Sequence, residues 1–151
     1  MSDCEFTPAT LEILRGAGWG PTRAVVPTPY IAKIWDAGTP PDAVQKFLRQ
    51  FGGLKLRFPN TRNHSVMSEF HFDHEIASRH TSPSQLLEWS GQLDESVWPV
   101  GEAHYGHMIV LMGASGCVFA GMDEVLVELG VDACAAVETI CSGGPVRTIS
   151  N

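Results

Sequence analysis

Six histidines and seventeen carboxylates lie within 151 residues. Three groupings place them at spacings that could do chemistry. His71 and His74, and again His104 and His107, form H-x-x-H pairs. On a helix such a pair shares one face and can ligate a metal; on a strand the odd offset sends the two side chains to opposite faces. His71 sits in an alternating stretch, so its pair is expected to diverge. His104 and His107 flank Gly106, and no H-E-x-x-H accompanies them. Both pairs are therefore expected to be surface or turn histidines. The third grouping is the row Glu69, His71 and Asp73, which would share one strand face. Such a row can bind metal or do acid–base work, and it is equally what a solvated strand face looks like; the second reading is preferred.

Other catalytic patterns are missing. There is no G-x-S-x-G elbow and no H-x-E with P-C-x-x-C. Gly16-Ala17-Gly18-Trp19-Gly20 lacks the Lys-Ser/Thr of a phosphate loop and reads as a helix stop and turn. Trp19, Trp35, Trp89 and Trp98 have no clustered basic residues around them, so they are expected to pack rather than stack bases. No catalytic residue, cofactor or metal is expected. A His-dependent metal hydrolase is kept as an alternative resting on His71 and His107.

Charge is uneven. Residues 1–79 carry nine basic and eight acidic residues, net +1; residues 80–151 carry Arg147 against nine acids, net −8; together they give −7. An acidic half repels phosphate backbones and attracts a basic partner. The longest apolar run, Met108 to Met112, is too short to span a membrane. The acidic opening Met1-Ser2-Asp3-Cys4-Glu5 does not read as a secretory signal, so the chain is expected in the cytoplasm. Cys4, Cys117, Cys134 and Cys141 contain no C-x-x-C pair and are expected to be buried or incidental thiols.

The elements that would position these residues can be read from caps and periodicity. Thr7-Pro8, Thr28-Pro29, Thr39-Pro40 and Ser82-Pro83 share one helix-start signal, a capping hydroxyl followed by proline at the first turn. Apolar residues follow at helical spacing: Leu11 and Leu14; Ile31, Ile34 and Trp35; Val44, Phe47, Leu48 and Phe51; Leu86, Leu87 and Trp89. Glycines near Gly16, Gly38, Gly52-Gly53 and Gly91 supply the stops. Leu54, Leu56 and Phe58, then Phe70 and Phe72, alternate with polar residues as strands do. Val97 to Glu102 contains Pro99, which predicts an edge strand or a bulge. Met108 to Met112 reads as a central strand, Gly113 to Gly116 as a hairpin loop and Cys117 to Ala120 as the return. Val125 to Leu129 fits helix or strand; its valines favour strand. Asp132 caps a last helix through Ala133, Ala136, Val137 and Ile140, which stops at Gly143-Gly144-Pro145.

The expected fold is α+β: a mainly antiparallel sheet of about five to six strands, with N-terminal helices and one C-terminal helix packed on one face. Residues 1–145 form one domain and 146–151 a loose tail.

Several phrases together resemble a known family. Ala17-Gly18-Trp19 with Arg23 resembles an opening A-G-W-x-x-x-R. Residues Phe47 to Leu54 resemble an F-L-x-x-F-G-G-L helix-to-strand corner. Trp98 to Glu102 resemble a central P-V-G-E phrase, Gly116 to Phe119 the strand after a hairpin, and Ala135 to Gly143 a closing A-L-x-x-L-x-x-G helix. The family is the third group of the SUKH superfamily, small bacterial immunity proteins of polymorphic toxin systems. The likeness runs in order from about Leu11 to Gly143, although the family's middle connections are usually shorter than His74 to Ser96. The resemblance implies an α+β fold, no catalysis, and binding of a cognate toxin domain, often a nuclease or nucleic-acid deaminase. Such a toxin has a basic cleft, which an acidic antidote can fill. The family pattern transfers no binding site. Charge and strand exposure nominate Glu102, Asp123, Glu124 and Glu128 as partner-binding residues. No nucleic acid or membrane partner is expected. Exposed sheet edges would allow a monomer or a weak homodimer, or could receive the toxin. A non-toxin interaction module on the same fold is the other alternative.

Overall fold

The computed structural model describes residues 4–29, 39–104 and 106–150. Its elements run α1 (Pro8–Gly16), α2 (Asp42–Phe51), β1 (Lys55–Pro59), β2 (Met67–His71), α3 (His74–Arg79), α4 (Pro83–Leu93), β3 (Val97–Ala103), β4 (Met108–Gly113), β5 (Val118–Met122), β6 (Val125–Gly130), α5 (Ala133–Ser142) and β7 (Arg147–Ser150). The strands form one seven-stranded sheet in sequence order, and every neighbouring pair is antiparallel. The fold is therefore α+β, with more strands than the sequence suggests. The extra one is β7, which pairs with β6 where a loose tail is expected. The helix expected over Ile31 to Trp35 lies outside the described residues.

Capping decides where the helices begin. Thr7 accepts from the Thr10 N–H, Ser82 from the Gln85 N–H, and Asp132 from the Ala135 N–H. Thr39 does not cap: α2 starts after Pro41, which makes no side-chain cap. Helix α4 continues through Gly91 and ends at Asp94, whose left-handed φ of 57° turns the chain.

Side chains point to alternate faces along the strands and divide the core in two. Leu56, Phe70, Trp98, Val110 and Ala120 face α1, α2 and α5 on one side. Val97, Ile109, Leu111, Phe119 and Leu126 face Leu86 and Trp89 of α4 on the other. The expectation that the helices share one face is thus corrected. Val110 and Leu111 are consecutive, fully buried and on opposite faces, so the central sheet has helices on both sides. Strand β3 is not at an edge. It lies between β2 and β4, and the other expectation for Pro99 holds, since the register shifts between Pro99 and Gly101.

Two of the phrases that resemble the family meet in space. The Trp19 ring stacks on Phe51 at 6.0 Å between centroids. The Arg23 guanidinium donates to the carbonyls of Gln50 (2.9 Å) and Gly52 (2.7 Å), which lie at the end of α2. At that corner a Cβ on Gly52 would collide with the Leu48 carbonyl, and Gly53 takes φ +83°. Two glycines are needed for two different reasons, close approach and left-handed backbone.

The N-terminal segment is fastened to α5. Cys4 and Cys134 form a disulfide with Cα atoms 5.2 Å apart, which corrects the expectation of incidental thiols. Glu138 accepts from the Thr7 N–H, the Thr7 hydroxyl and the Thr10 hydroxyl at 2.8, 3.1 and 2.6 Å. Burial pushes its carboxyl up, but these hydrogen bonds outweigh it and hold the pKa below the usual glutamate value.

Candidate partner-binding site

Glu102 is the one acidic side chain among the buried described residues, 3% exposed. It faces His71 across the β2–β3 pair. Asp73 ends the strand row instead of extending it: its carboxylate accepts from the Glu75 and Ile76 N–H groups and starts α3. Helix α3 then delivers His80 to the same carboxylate. Glu102 Oε1 lies 2.8 Å from His71 Nε2, and Oε2 lies 2.6 Å from His80 Nδ1. A carboxylate buried without such donors would be strongly disfavoured.

The hydrogen bonds assign the imidazole protons. His71 Nδ1 accepts from the Asp73 N–H at 3.1 Å, so its proton is on Nε2 and points at Glu102. His80 gives its Nδ1 proton to the second carboxylate oxygen. In the neutral ring, His80 Nε2 is then an acceptor. The dyad resembles a carboxylate-oriented base in its geometry, but Ser82, the nearby hydroxyl, is engaged in capping α4. Among the described residues no three His, Cys, Asp or Glu side chains could hold a metal ion.

Beside His80 opens a cavity of about 430 Å³, between α4 and the β3–β4 and β5–β6 turns. His80, Gln85, Trp89, His107, Met122 and Asp123 are among its lining residues. The Trp89 indole N–H donates to the Asp123 carbonyl at 3.2 Å. Gly121 makes room for that ring, since a Cβ there would sit 2.6 Å from Trp89 Cζ2. Glu102 lies behind the wall: a Cβ on Gly106 would be 3.9 Å from both its oxygens.

The four nominated residues do not form one exposed patch. Glu102 is buried, contrary to its expected exposure, because α3 brings His80 over the β3 face. Asp123 and Glu124 are exposed at the β5–β6 turn. Glu128 is half-buried and pairs with Arg147 through Oε2–Nε (3.1 Å) and Oε1–Nη2 (3.2 Å); that bond and the Glu128 charge raise the Arg147 pKa. The structure puts Asp123 on the cavity lining and Glu102 behind its wall, and leaves Glu128 engaged elsewhere. Both histidine pairs diverge. His74 Nε2 meets the Thr28 hydroxyl at 3.0 Å while His71 meets Glu102. The His104 ring packs on Phe70 in the other face's core, while His107 lines the cavity. His80 was not nominated from sequence, since nothing adjacent to it marks it.

The family model of the SUKH-3 immunity protein matches residues 6–143. No curated protein and no solved structure matches the chain. The matched span includes the Arg23 clamp, the Gly52-Gly53 corner, the Glu102 hub and the cavity, so the chain belongs to the SUKH-3 immunity protein family.

Proposed function

We propose that this chain is a non-enzymatic immunity protein of a polymorphic toxin system, acting in the bacterial cytoplasm. It binds a cognate toxin domain of nuclease or nucleic-acid deaminase chemistry and blocks it. Membership of the immunity protein family carries the reading. The charge distribution supports it independently. Residues 80–151 have a net charge of −8, and Glu88, Asp94, Asp123 and Glu124 are exposed. A toxin that grips nucleic acid presents a basic cleft, and an acidic surface both steers the encounter and competes with phosphate. Among the described residues no helix is long and apolar enough to cross a membrane.

Neutralisation is occlusion in this account. The chain carries no chemistry against the toxin and covers the groove that nucleic acid would enter. The segment from α1 through β7 acts as one binding unit. It is monomeric or weakly dimeric, with β1 and β7 as the sheet edges through which copies would pair. Effective protection needs tight binding, of the order of nanomolar, about −12 kcal/mol.

Deleting the gene in its source organism tests this reading. The deletion strain should be killed by its toxin-bearing parent, survive a parent lacking the toxin domain, and regain protection when the chain is re-expressed. Full resistance of the deletion strain to toxin-bearing kin would refute it.

A further inference from the structure

We infer that the cavity between α4 and the turns of β3–β4 and β5–β6 is a socket for a basic side chain, an arginine above all, projecting from the partner protein. The inference rests on the proposed function in one respect: the arginine belongs to the toxin's nucleic-acid-gripping surface.

The cavity offers acceptors on its His80 and Asp123 side, opposite the Gln85 amide of α4, whose Nε2 is buried without a partner among the described residues. Glu102 fixes the His80 proton on Nδ1 and leaves Nε2 as an acceptor beside the cavity. Asp123, exposed and lining the cavity, brings a negative charge to it. The buried Glu102 carboxylate adds another charge one imidazole away. Trp89, 2% exposed, closes the cavity floor, with its N–H already given to the Asp123 carbonyl. Met122, 41% exposed, gives an apolar rim that can shield a charged contact from water. Among the described residues no lysine or arginine lines the cavity. The one basic residue after position 80, Arg147, is held by Glu128.

These features select the occupant. An anion would face Asp123 and Glu102 across low-dielectric walls. An apolar group would leave the acceptors without donors. A guanidinium offers planar, forked donors and a positive charge, which meets the acceptors and the carboxylates at once.

The test uses the full-length, isotope-labelled chain at about pH 8, above the ordinary histidine range. The probe is N-acetyl-arginine amide, with the neutral isostere N-acetyl-citrulline amide as its control. Saturable movement of the Trp89 indole resonance and the His80 ring nitrogens is expected, half-complete at about 10 mM or below, with citrulline at least about tenfold weaker. Glu102→Gln supplies a specific reversal. The His71 proton stays on Nε2 because Asp73 donates to Nδ1. The amide oxygen must therefore face His71 and the amide NH₂ face His80, which moves the His80 proton to Nε2. The cavity then presents a donor where it had an acceptor, and arginine binding should fall about tenfold or more. Asp123→Asn, at an exposed turn, leaves folding aside and should weaken arginine several-fold. Equal binding of citrulline, shifts confined to other residues, or no shift up to about 100 mM would overturn the socket.

Capture of the toxin separates the two proposals. Equal capture by the wild type and by both variants would sink the socket and leave the immunity reading standing. Arginine binding without any toxin capture would support the socket and count against the immunity reading.

Discussion

Replacing Arg23 should cost the fold more than its half-buried position suggests. Its guanidinium donates to the Gln50 and Gly52 carbonyls at 2.9 and 2.7 Å, where α2 has run out of its own donors. Burial lowers its pKa below the ordinary arginine value, which registers partial desolvation without threatening the charge. A hydrogen bond to a charged group contributes about 1.5–3 kcal/mol. Water can reach the corner after truncation, so the lower end applies and two bonds give a loss of about 3 kcal/mol for Arg23→Ala. For a chain of this size that lowers Tm by roughly 6–10 °C. Arg23→Lys keeps the charge near the helix C-terminus but can reach only one carbonyl well, so about half the loss is expected. Arg23→Met keeps most of the stem and should behave like alanine. Urea unfolding followed by tryptophan fluorescence and by circular dichroism measures all three, with unchanged denaturant slope as the check on two-state behaviour. An alanine variant within about 0.5 kcal/mol of wild type, or a methionine variant as stable as wild type, would refute the clamp.

Four further outcomes follow from other contacts. The Cys4–Cys134 link spans 130 residues; by the chain-entropy relation its reduction removes up to about 5 kcal/mol, so Tm should fall with dithiothreitol in wild type and not in Cys4→Ser. In the native oxidised chain, a thiol reagent should label half-buried Cys117 and spare Cys141, whose thiol is buried and pushed up to about 12 by desolvation and the Glu138 charge; equal labelling rates would contradict that environment. Glu138 has a folded pKa below its ordinary 4.5, so its contribution is complete above that value and is lost as pH falls through the folded value; Glu138→Gln should flatten this part of the acid-side stability curve, and an unchanged slope would show that the Thr7 and Thr10 bonds do not matter. Gly121→Ala should displace Trp89 and cost about 1–3 kcal/mol by overpacking, read as a lower urea midpoint and an altered Trp89 indole resonance.

Elements with both a period and a punctuating residue were legible in the sequence. The stripe from Val44 to Phe51, the alternation at Leu56 and Phe58, and the Asp132 cap each specify one local answer, and the structure adopts it. Helix α3 was not legible, because six residues with His74 and Ala77 as their buried positions give no apolar stripe to read. Strand β7 has no alternation of its own and exists through pairing with β6. The side of the sheet that α4 covers is a tertiary choice, since a stripe says that a face is buried and not against what.

The cavity was the least legible part. Glu102 lies 31 residues from His71 and 22 from His80, and a glutamate in a strand ordinarily faces water. Charge counting drew attention to the acidic second half, where Asp123 and Glu124 are exposed. It could not separate a carboxylate that faces solvent from one that orients an imidazole. Glu128 illustrates the same limit, since its partner Arg147 comes from the strand that sequence did not reveal.

The central claim is that the chain neutralises a toxin by occupying a basic surface. The most direct measurement passes lysate of the source organism over the tagged chain at low and high salt and identifies what is retained. A polymorphic-toxin C-terminal domain should be recovered in one-to-one ratio, released progressively by salt, with its nuclease or deaminase activity abolished by stoichiometric chain. Cells shown to express such toxins that yield no toxin domain, or one whose activity the chain leaves intact, would contradict the account.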